Sequence, residues 1–413
     1  MENTIYKKTQ LGLVPSEWEE IVFRDIFEEV SETTNDTERY PLYSLTIEDG
    51  VTPKSERYER SFLITKETDS YKVVRKDEFV YNPMNLRFGA LARLKEDKEV
   101  AVSGYYNVFK VKPGYSPEFM DYYLKSERMM YLYNAYATGS LKEKQRVHYS
   151  QFIQFQLPLP SKEEAKRITE ILTKWDKAIE LKEKLIEQKK EQKKELMQKL
   201  ISGETRFSGF DAEWQEFELG KIGFTYNGLT GKSADDFGEG KPYIPYKTIF
   251  DNSKIDLNKI DFVRINQGEK QNSAKKGDIF FTTSSETPNE VGMTSVLLDD
   301  IDEIYLNSFC FGYRLNDFNI LSPSYAQFYF RSNEFRRKVY VLAQGSTRFN
   351  ISKNEVMKIT IKIPNVKEQE YISKVLSESD KEIQLLKNQV RELKSQKQGL
   401  MKQLLTGKIR VKV

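Results

Sequence analysis

Residues 161–203, SKEEAKRITEILTKWDKAIELKEKLIEQKKEQKKELMQKLISG, decide the fold. Apolar side chains fall at Ala165, Ile168, Leu172, Trp175, Ile179, Ile186, Leu196 and Leu200. Their steps follow the alternation of three and four that marks a coiled-coil seam. No Pro or Gly interrupts the run before Gly203, which stands where a helix stop belongs. Pro160 fixes the entry, Ser161 suits an N-cap, and Glu164 three residues on completes a capping-box pattern. The spacing predicts one helix of roughly 60 Å. Such a helix is too long for the inside of a compact domain and too sparsely apolar to stand alone.

A second run, NVKEQEYISKVLSESDKEIQLLKNQVRELKSQKQGLMKQLLTG (365–407), answers it. With a constant offset of 204, Ile168 falls on Ile372, Leu172 on Leu376, Ile179 on Ile383 and Gly203 on Gly407. Its seam runs through Ile372, Leu376, Ile383, Leu386, Val390, Leu393, Leu400 and Leu404. Two such helices can bury their stripes on each other, and the seam period predicts a left-handed supercoil. If the halves are related by a pseudo-two-fold axis, the helices run antiparallel. Lys182, Lys189, Lys193 and Lys397 also occupy seam positions. Their stems can lie along apolar surface with the heads in water, and polar groups in a seam restrict register. Ile171, Leu181, Leu185, Met197 and Ile201 lie off the seam and suggest a second stripe for partner helices.

Composition narrows the function. The 413 residues are too many for one core and suit two domains with connectors. No run approaches a membrane span, and the start, MENTIYKKTQ, lacks a signal-peptide pattern. The single Cys310 excludes an internal disulfide and points to a reducing, cytoplasmic compartment. Together with the single His148 it argues against a zinc site and a His-based triad. A net charge of +3 with 31% charged residues means that any nucleic-acid surface must be a local arrangement.

The repeat extends beyond the helices. LVPSEWEEIVFRDI (13–26) matches GFDAEWQEFELGKI (209–222), with Trp18 on Trp214. YPLYSLT (40–46) resembles YIPYKTI (243–249), and VVRKDEFVYN (73–82) resembles SAKKGDIFFT (273–282). EVAVSGYYNVFKV (99–111) and EIYLNSFCFGYRL (303–315) read as strands, and YSPEFMDYYLKS (115–126) and LSPSYAQFYFRS (321–332) as short aromatic helices. TGSLKEKQRVHYSQFIQFQLPLP (138–160) resembles QGSTRFNISKNEVMKITIKIP (344–364), the first copy being two residues longer. The expected architecture is mixed α/β (α+β): domains at 1–158 and 205–362, long helices at 159–204 and 363–413. The end of the chain and its start together mimic 204–214.

Two divergent domains on repeated helices, with W-x-x-x-x-L at the start (Trp214 to Leu219; Trp18 to Phe23 in the first copy) and GSTRFNIS (345–352) before I-x-I-P, resemble the specificity subunit of type I restriction-modification systems. FTTSSETPNEVG (281–292) is similar to one class of target-recognition domain in that family. The resemblance covers nearly the whole chain, although GSLKEKQRVHYS lacks the GST-R run. It implies a DNA-binding protein without an active site, acting in defence against foreign DNA in a bacterial or archaeal cytoplasm. Each domain would read half of a split double-stranded site in the major groove. The helices would set the gap and bind two methyltransferase subunits, which hold S-adenosylmethionine. Restriction motor-nuclease subunits would join these.

The candidate contact residues lie in two loops per copy. One offers Ser346, Arg348, Asn350 and Lys353, matched in the first copy by Ser140, Lys142, Lys144 and Arg146. Arginine can fork onto guanine or phosphate, Asn can pair with adenine, and hydroxyls reach phosphates. A solvated turn would carry the same residue types; the counterpart in the other copy favours contact. The other loop offers Thr283, Ser284, Ser285, Glu286 and Thr287, and in the first copy Asn82, Asn85 and Arg87. Its residues are turn formers as well, but different sequences at matching positions favour two different half-sites, hence an asymmetric bipartite target.

Two other classes compete. A self-sufficient enzyme would need a cofactor loop. Asn82-Pro83-Met84-Asn85 lacks the second Pro and the aromatic of an adenine-methyltransferase motif, and Gly231-Lys232-Ser233 lacks the upstream Gly of a phosphate loop, with Tyr226 in its place. A coiled-coil adaptor between protein-binding domains would show no salt-dependent DNA affinity.

Overall fold

The structure is a computed structural model. It describes residues 5–9, 12–54, 70–140 and 145–412. The chain divides into two compact units, one of residues 1–183 with 388–413 and one of residues 184–387. Each unit therefore holds one domain, the first part of the long helix that follows it, and the last part of the other long helix.

Both domains are built on the same four-stranded antiparallel sheet. In the first unit the order is Leu91–Arg93, Phe79–Tyr81, Asn107–Val111, Phe27–Val30. In the second it is Thr294–Val296, Ile279–Thr282, Cys310–Leu315, Gly223–Asn227. Side chains alternate between faces along a strand, and both faces are covered here. Phe79, Tyr81 and Phe109 enter a core with the aromatic helices Pro117–Leu124 and Glu127–Tyr136. Val80 and Val108 face the other way, onto Val74, Val100 and Val102. The second unit repeats this, with Ile279 and Phe281 on the helix side and Phe280 on the other. Ser116 and Ser332 cap their helices by accepting from Phe119 N and Phe335 N. One parallel pairing, Tyr243–Ile244 with Tyr305–Leu306, makes the second unit's other four-stranded sheet mixed. The fold is mixed α/β, as the pattern of strands and helices predicts.

The matched segments YPLYSLT and YIPYKTI part company. Tyr43–Thr46 is a strand paired with Gly50–Pro53, whereas Tyr246–Asp251 is a short helix.

The long helices span Lys162–Ser202 and Val366–Leu404. Ile168, Leu172, Ile179, Ile186 and Leu200 are buried on the first, and Ile372, Leu376, Ile383, Val390 and Leu404 on the second. Trp175, Leu196, Leu386, Leu393 and Leu400 are half-buried between them in sequence. The helices pair antiparallel within each unit. In the first, Lys397 Nζ meets Asp176 at 2.5 Å, Lys394 meets Glu183 at 2.7 Å and Lys182 donates to Gln389 at 2.7 Å. In the second, Lys193 meets Asp380 at 2.6 Å and Lys189 meets Glu382 at 2.7 Å. All four seam lysines thus cross to the opposite helix. The Lys193–Asp380 pair is the Lys397–Asp176 pair moved by the repeat. Each of these lysines also lies over an aromatic ring of its own unit, Phe328 at 5.2 Å and Tyr122 at 5.1 Å.

The helix ends are fixed by a second repeated device. Ser161 Oγ accepts from Glu164 N at 3.2 Å, and Asn365 Oδ1 from Glu368 N at 3.1 Å. The capping box is not completed, because the Glu164 carboxylate is used elsewhere. Only 1% exposed, it accepts from Arg410 Nε and Nη2 (2.6 and 3.0 Å) and from Trp18 Nε1 (3.1 Å). Glu368, also 1% exposed, accepts from Arg206 Nε and Nη2 at 2.9 and 2.7 Å. These carboxylate hydrogen bonds hold both guanidinium groups above their ordinary pKa. Gly203 and Gly407 end the helices in left-handed backbone, at φ 76° and 70°. A Cβ on Gly407 would stand 2.3 Å from Pro15 Cδ and 3.2 Å from the Trp18 ring; one on Gly203 would stand 3.3 Å from Trp214.

The second stripe needs correcting. Ile201 belongs to the second unit's own core and Met197 packs against it, while Ile171 packs against the first unit's core. Leu181 and Leu185 remain exposed, and the second helix adds Leu385. Among the described residues no helix is long and apolar enough to cross a membrane. Cys310 is buried, and burial raises its thiol pKa.

Glu164→Ala leaves Arg410 with only the exposed carboxylate of Glu17 (3.0 Å) and takes the acceptor from the Trp18 indole N–H. It should lower unfolding stability by about 2 kcal/mol, read by urea denaturation, and adding Arg410→Met should recover part of the loss. An unchanged urea midpoint in the single variant would show that this pair does not hold the helix end.

Candidate nucleic-acid interface

In the second unit the two candidate loops form one surface. Gln344 and Asn350 exchange both backbone hydrogen bonds, at 2.9 and 2.8 Å, and close a hairpin over Gly345–Phe349. Gly345 has φ 130°, and a Cβ there would lie 2.1 Å from the Arg348 carbonyl oxygen, so this tight tip requires glycine. Ser284 pairs with Asn350 and Ser285 with Phe349, and Ile351 N donates to Thr283 O at 3.0 Å.

Ser346, Thr347, Arg348 and Asn350 are exposed at the tip. Arg348 has no carboxylate partner among the described residues, and its guanidinium lies 5.9 Å from the centre of the Phe309 ring. Ser284 and Ser285 are 5% and 9% exposed and form the floor. Thr283 donates both its N–H and its hydroxyl to Phe309 O, at 3.0 and 2.8 Å. Glu286 is exposed, and the Thr287 hydroxyl donates to Glu290 at 2.7 Å. Lys353 Nζ donates to the Asn227 side chain.

Sequence reasoning missed one wall. Tyr246, Lys247 and Phe250 of the short helix line a cleft of about 690 Å³ together with Ser284, Ser285, Glu286, Glu290, Thr347 and Arg348. The Tyr246 hydroxyl donates to Ser284 O at 2.7 Å, and its ring stacks on Phe250 at 5.9 Å. Burial raises the Tyr246 pKa. Two half-buried arginines hold this wall and the loop in place. Arg331 donates to the carbonyls of Ile249, Phe250, Asn252 and Thr294. Arg336 donates to those of Asn289, Val291 and Gly292. Desolvation pushes Arg331 down to about 10 and lowers Arg336 as well. The likeness of YIPYKTI to the first copy pointed to shared frame and so hid the wall.

The first unit uses the same plan with other residues. Thr138 and Arg146 exchange both backbone bonds, at 3.0 and 2.9 Å, and Val147 N donates to Pro83 O at 3.0 Å. Ser140 is exposed and Arg146 half-buried. Lys142 and Lys144 lie outside the described residues. Asn82 Oδ1 accepts from Met84 N at 3.0 Å, which shapes the turn, and Asn85 is exposed. Arg87 donates to Gln145 at 3.0 Å and stacks over Phe88 at 4.5 Å.

Gly345→Ala should open the hairpin while leaving the core folded. Amide exchange at Gln344 and Asn350 should then accelerate at least tenfold with little change elsewhere. Unchanged exchange at those two amides would contradict the need for glycine at the tip.

A family model described as the type I restriction modification DNA specificity domain matches the chain twice, over residues 15–190 and 211–395. A protein of Methanocaldococcus jannaschii, provisionally named the type I restriction enzyme MjaX specificity subunit, is 23% identical over 98% of this chain and 97% of its own length. The MjaVIII specificity subunit of the same organism is 26% identical over 63% of this chain and 64% of its own. Among solved structures, a chain from a study of type I R-M complex assembly and conformational transition has a TM-score of 0.58 at 15% identity, covering 96% of this chain and 99% of that one. The S subunit of a type I system from M. genitalium has a TM-score of 0.50 at 15% identity, covering 98% and 97%. These structures share the fold. Matched twice and along most of its length by the family model, the chain belongs to the type I restriction-modification DNA specificity family.

Proposed function

We propose that this chain reads double-stranded DNA for a type I restriction-modification complex, each domain taking one half of an asymmetric bipartite site. The observation that carries this reading is the reading surface built twice. In both units a hairpin is closed by the same pair of backbone bonds and joined to a neighbouring loop by the same third bond. The sequences between those closing bonds differ. A shared frame with unlike tips suits two half-sites of different sequence, since base edges are read by side chains and phosphates only position the protein.

In this reading the chain carries out no chemistry. S-adenosylmethionine is bound by methyltransferase subunits, and motor-nuclease subunits complete the assembly in a bacterial or archaeal cytoplasm. The long helices keep the readers at a set separation and dock the methyltransferases. Leu181 and Leu385, one in each unit, stand 204 residues apart and are 54% and 57% exposed. Two equivalent apolar points suit two copies of one partner.

Co-expression with the partner methyltransferase, followed by sequencing of methylated positions in host DNA, tests the proposal. The expected result is one bipartite target with a fixed gap. Arg348→Ala should weaken discrimination at the second half-site by about tenfold or more and leave the first half-site intact. Equal affinity for the whole site at every salt concentration would remove Arg348 from the interface.

A further inference from the structure

One turn is repeated where the sequences have otherwise diverged. Tyr106 N donates to Ser103 O at 3.0 Å, and Cys310 N to Asn307 O at 3.1 Å. The side chain at the leading position shapes both turns: Ser103 Oγ accepts from Tyr105 N at 3.3 Å and Asn307 Oδ1 from Phe309 N at 2.9 Å. SGYY and NSFC share only the aromatic at the third position. That aromatic is 45% exposed in Tyr105 and 57% exposed in Phe309. Single exposed apolar residues are ordinary on protein surfaces. The same exposed ring on the same turn in both copies is a feature of the module.

The turn belongs to the reading surface. Thr283 fastens its N–H and hydroxyl to the Phe309 carbonyl, and Arg348 lies over the Phe309 ring. In the first unit Tyr81 is paired with Asn107, which sets the Tyr105 turn beside Asn82, where the reading loop begins. The Phe309 ring offers no hydrogen bond and the Tyr105 ring adds a hydroxyl at its far end, so what the two share is the apolar ring face. Its complement on a duplex is apolar: the C5 methyl group of thymine in the major groove, or the face of a base at an opened step.

We propose that Phe309 and Tyr105 are apolar base contacts, one in each reader, adding to the hydrogen-bonding residues of the loops. This rests on the DNA-reading function above. The test uses the complete complex with methyltransferase subunits and duplexes carrying its mapped target. Phe309→Ala should lose about tenfold in affinity for the target, with nonspecific duplex unaffected; Tyr105→Ala should do the same. Phe309→Leu, which keeps apolar bulk, should lose less, and unfolding midpoints should stay at the wild-type value. Two arms separate the sources. Thymine-to-uracil replacement in the second half-site should reproduce the loss if a methyl group is the contact. A 2-aminopurine probe should brighten with wild type and not with Phe309→Ala if a base step is opened. Wild-type affinity in Phe309→Ala overturns the inference, as does an equal loss on nonspecific duplex, or a loss to which neither arm responds. A wild-type complex with no preference for any bipartite site would instead overturn the function on which it rests.

Discussion

A carboxylate buried in the first turn of a helix sits in the favourable field of the helix N-terminus, but burial demands hydrogen-bond donors as well. Glu164 and Glu368 meet that demand with the guanidinium groups of Arg410 and Arg206. Each arginine comes from the segment just after the other long helix. The start of one helix is thereby locked to the end of the other, and this can be satisfied in both units only by an antiparallel pair. The lysine–aspartate bridges repeat with the same offset and fix the register between the locks. Trp18 and Trp214 lie against the terminal glycines, so each domain is seated on the helix end that its arginine secures.

The seat matters because the candidate interface is carried on the sheet of the same domain. Strands with side chains buried on both faces lead into the variable loops, and a hairpin closed by two backbone bonds presents the tip. Backbone bonds set the shape, so tip side chains can change without disturbing it. That separation explains why the two copies keep their frame and differ in sequence between the closing bonds, where Arg348 stands in the second copy. The internal arginines belong to the frame: Arg331 donates to carbonyls of the short helix, of Asn252 and of the strand residue Thr294, and Arg336 to those of Asn289, Val291 and Gly292.

The rod, its repeat and the pairing of domains with helices were legible because periodicity and offset are properties of the chain itself. Ser161 was legible as a cap, but Glu164 was not legible as a lock, since its partner stands 246 residues away. Ile171, Met197 and Ile201 look the same in sequence whether a partner or the chain's own domain covers them, and the domain covers them. The cleft wall at Tyr246–Asp251 was hidden because its helix depends on carbonyl bonds to the distant Arg331. Of the tip residues, Ser346, Arg348 and Asn350 could be named from their chemistry; the burial of Ser284 and Ser285 under them could not, because it arises from strand pairing between segments far apart.

The lock makes the chain's ends equivalent to an internal connection. Val413 corresponds by the repeat to Gly209, an exposed residue with open space around its α-carbon, and the Tyr6 hydroxyl donates to the Gly407 carbonyl at 3.2 Å. The most direct measurement is therefore on a circular permutant that begins at Phe210, joins Val413 to Met1 through a short linker, and ends at Gly209. It keeps Arg206 behind the first long helix just as Arg410 stands behind the second. The account predicts an unfolding midpoint close to that of the natural chain and methylation of the same DNA positions with the partner present. A permutant that fails to fold, or one that directs methylation to a different target, would contradict it.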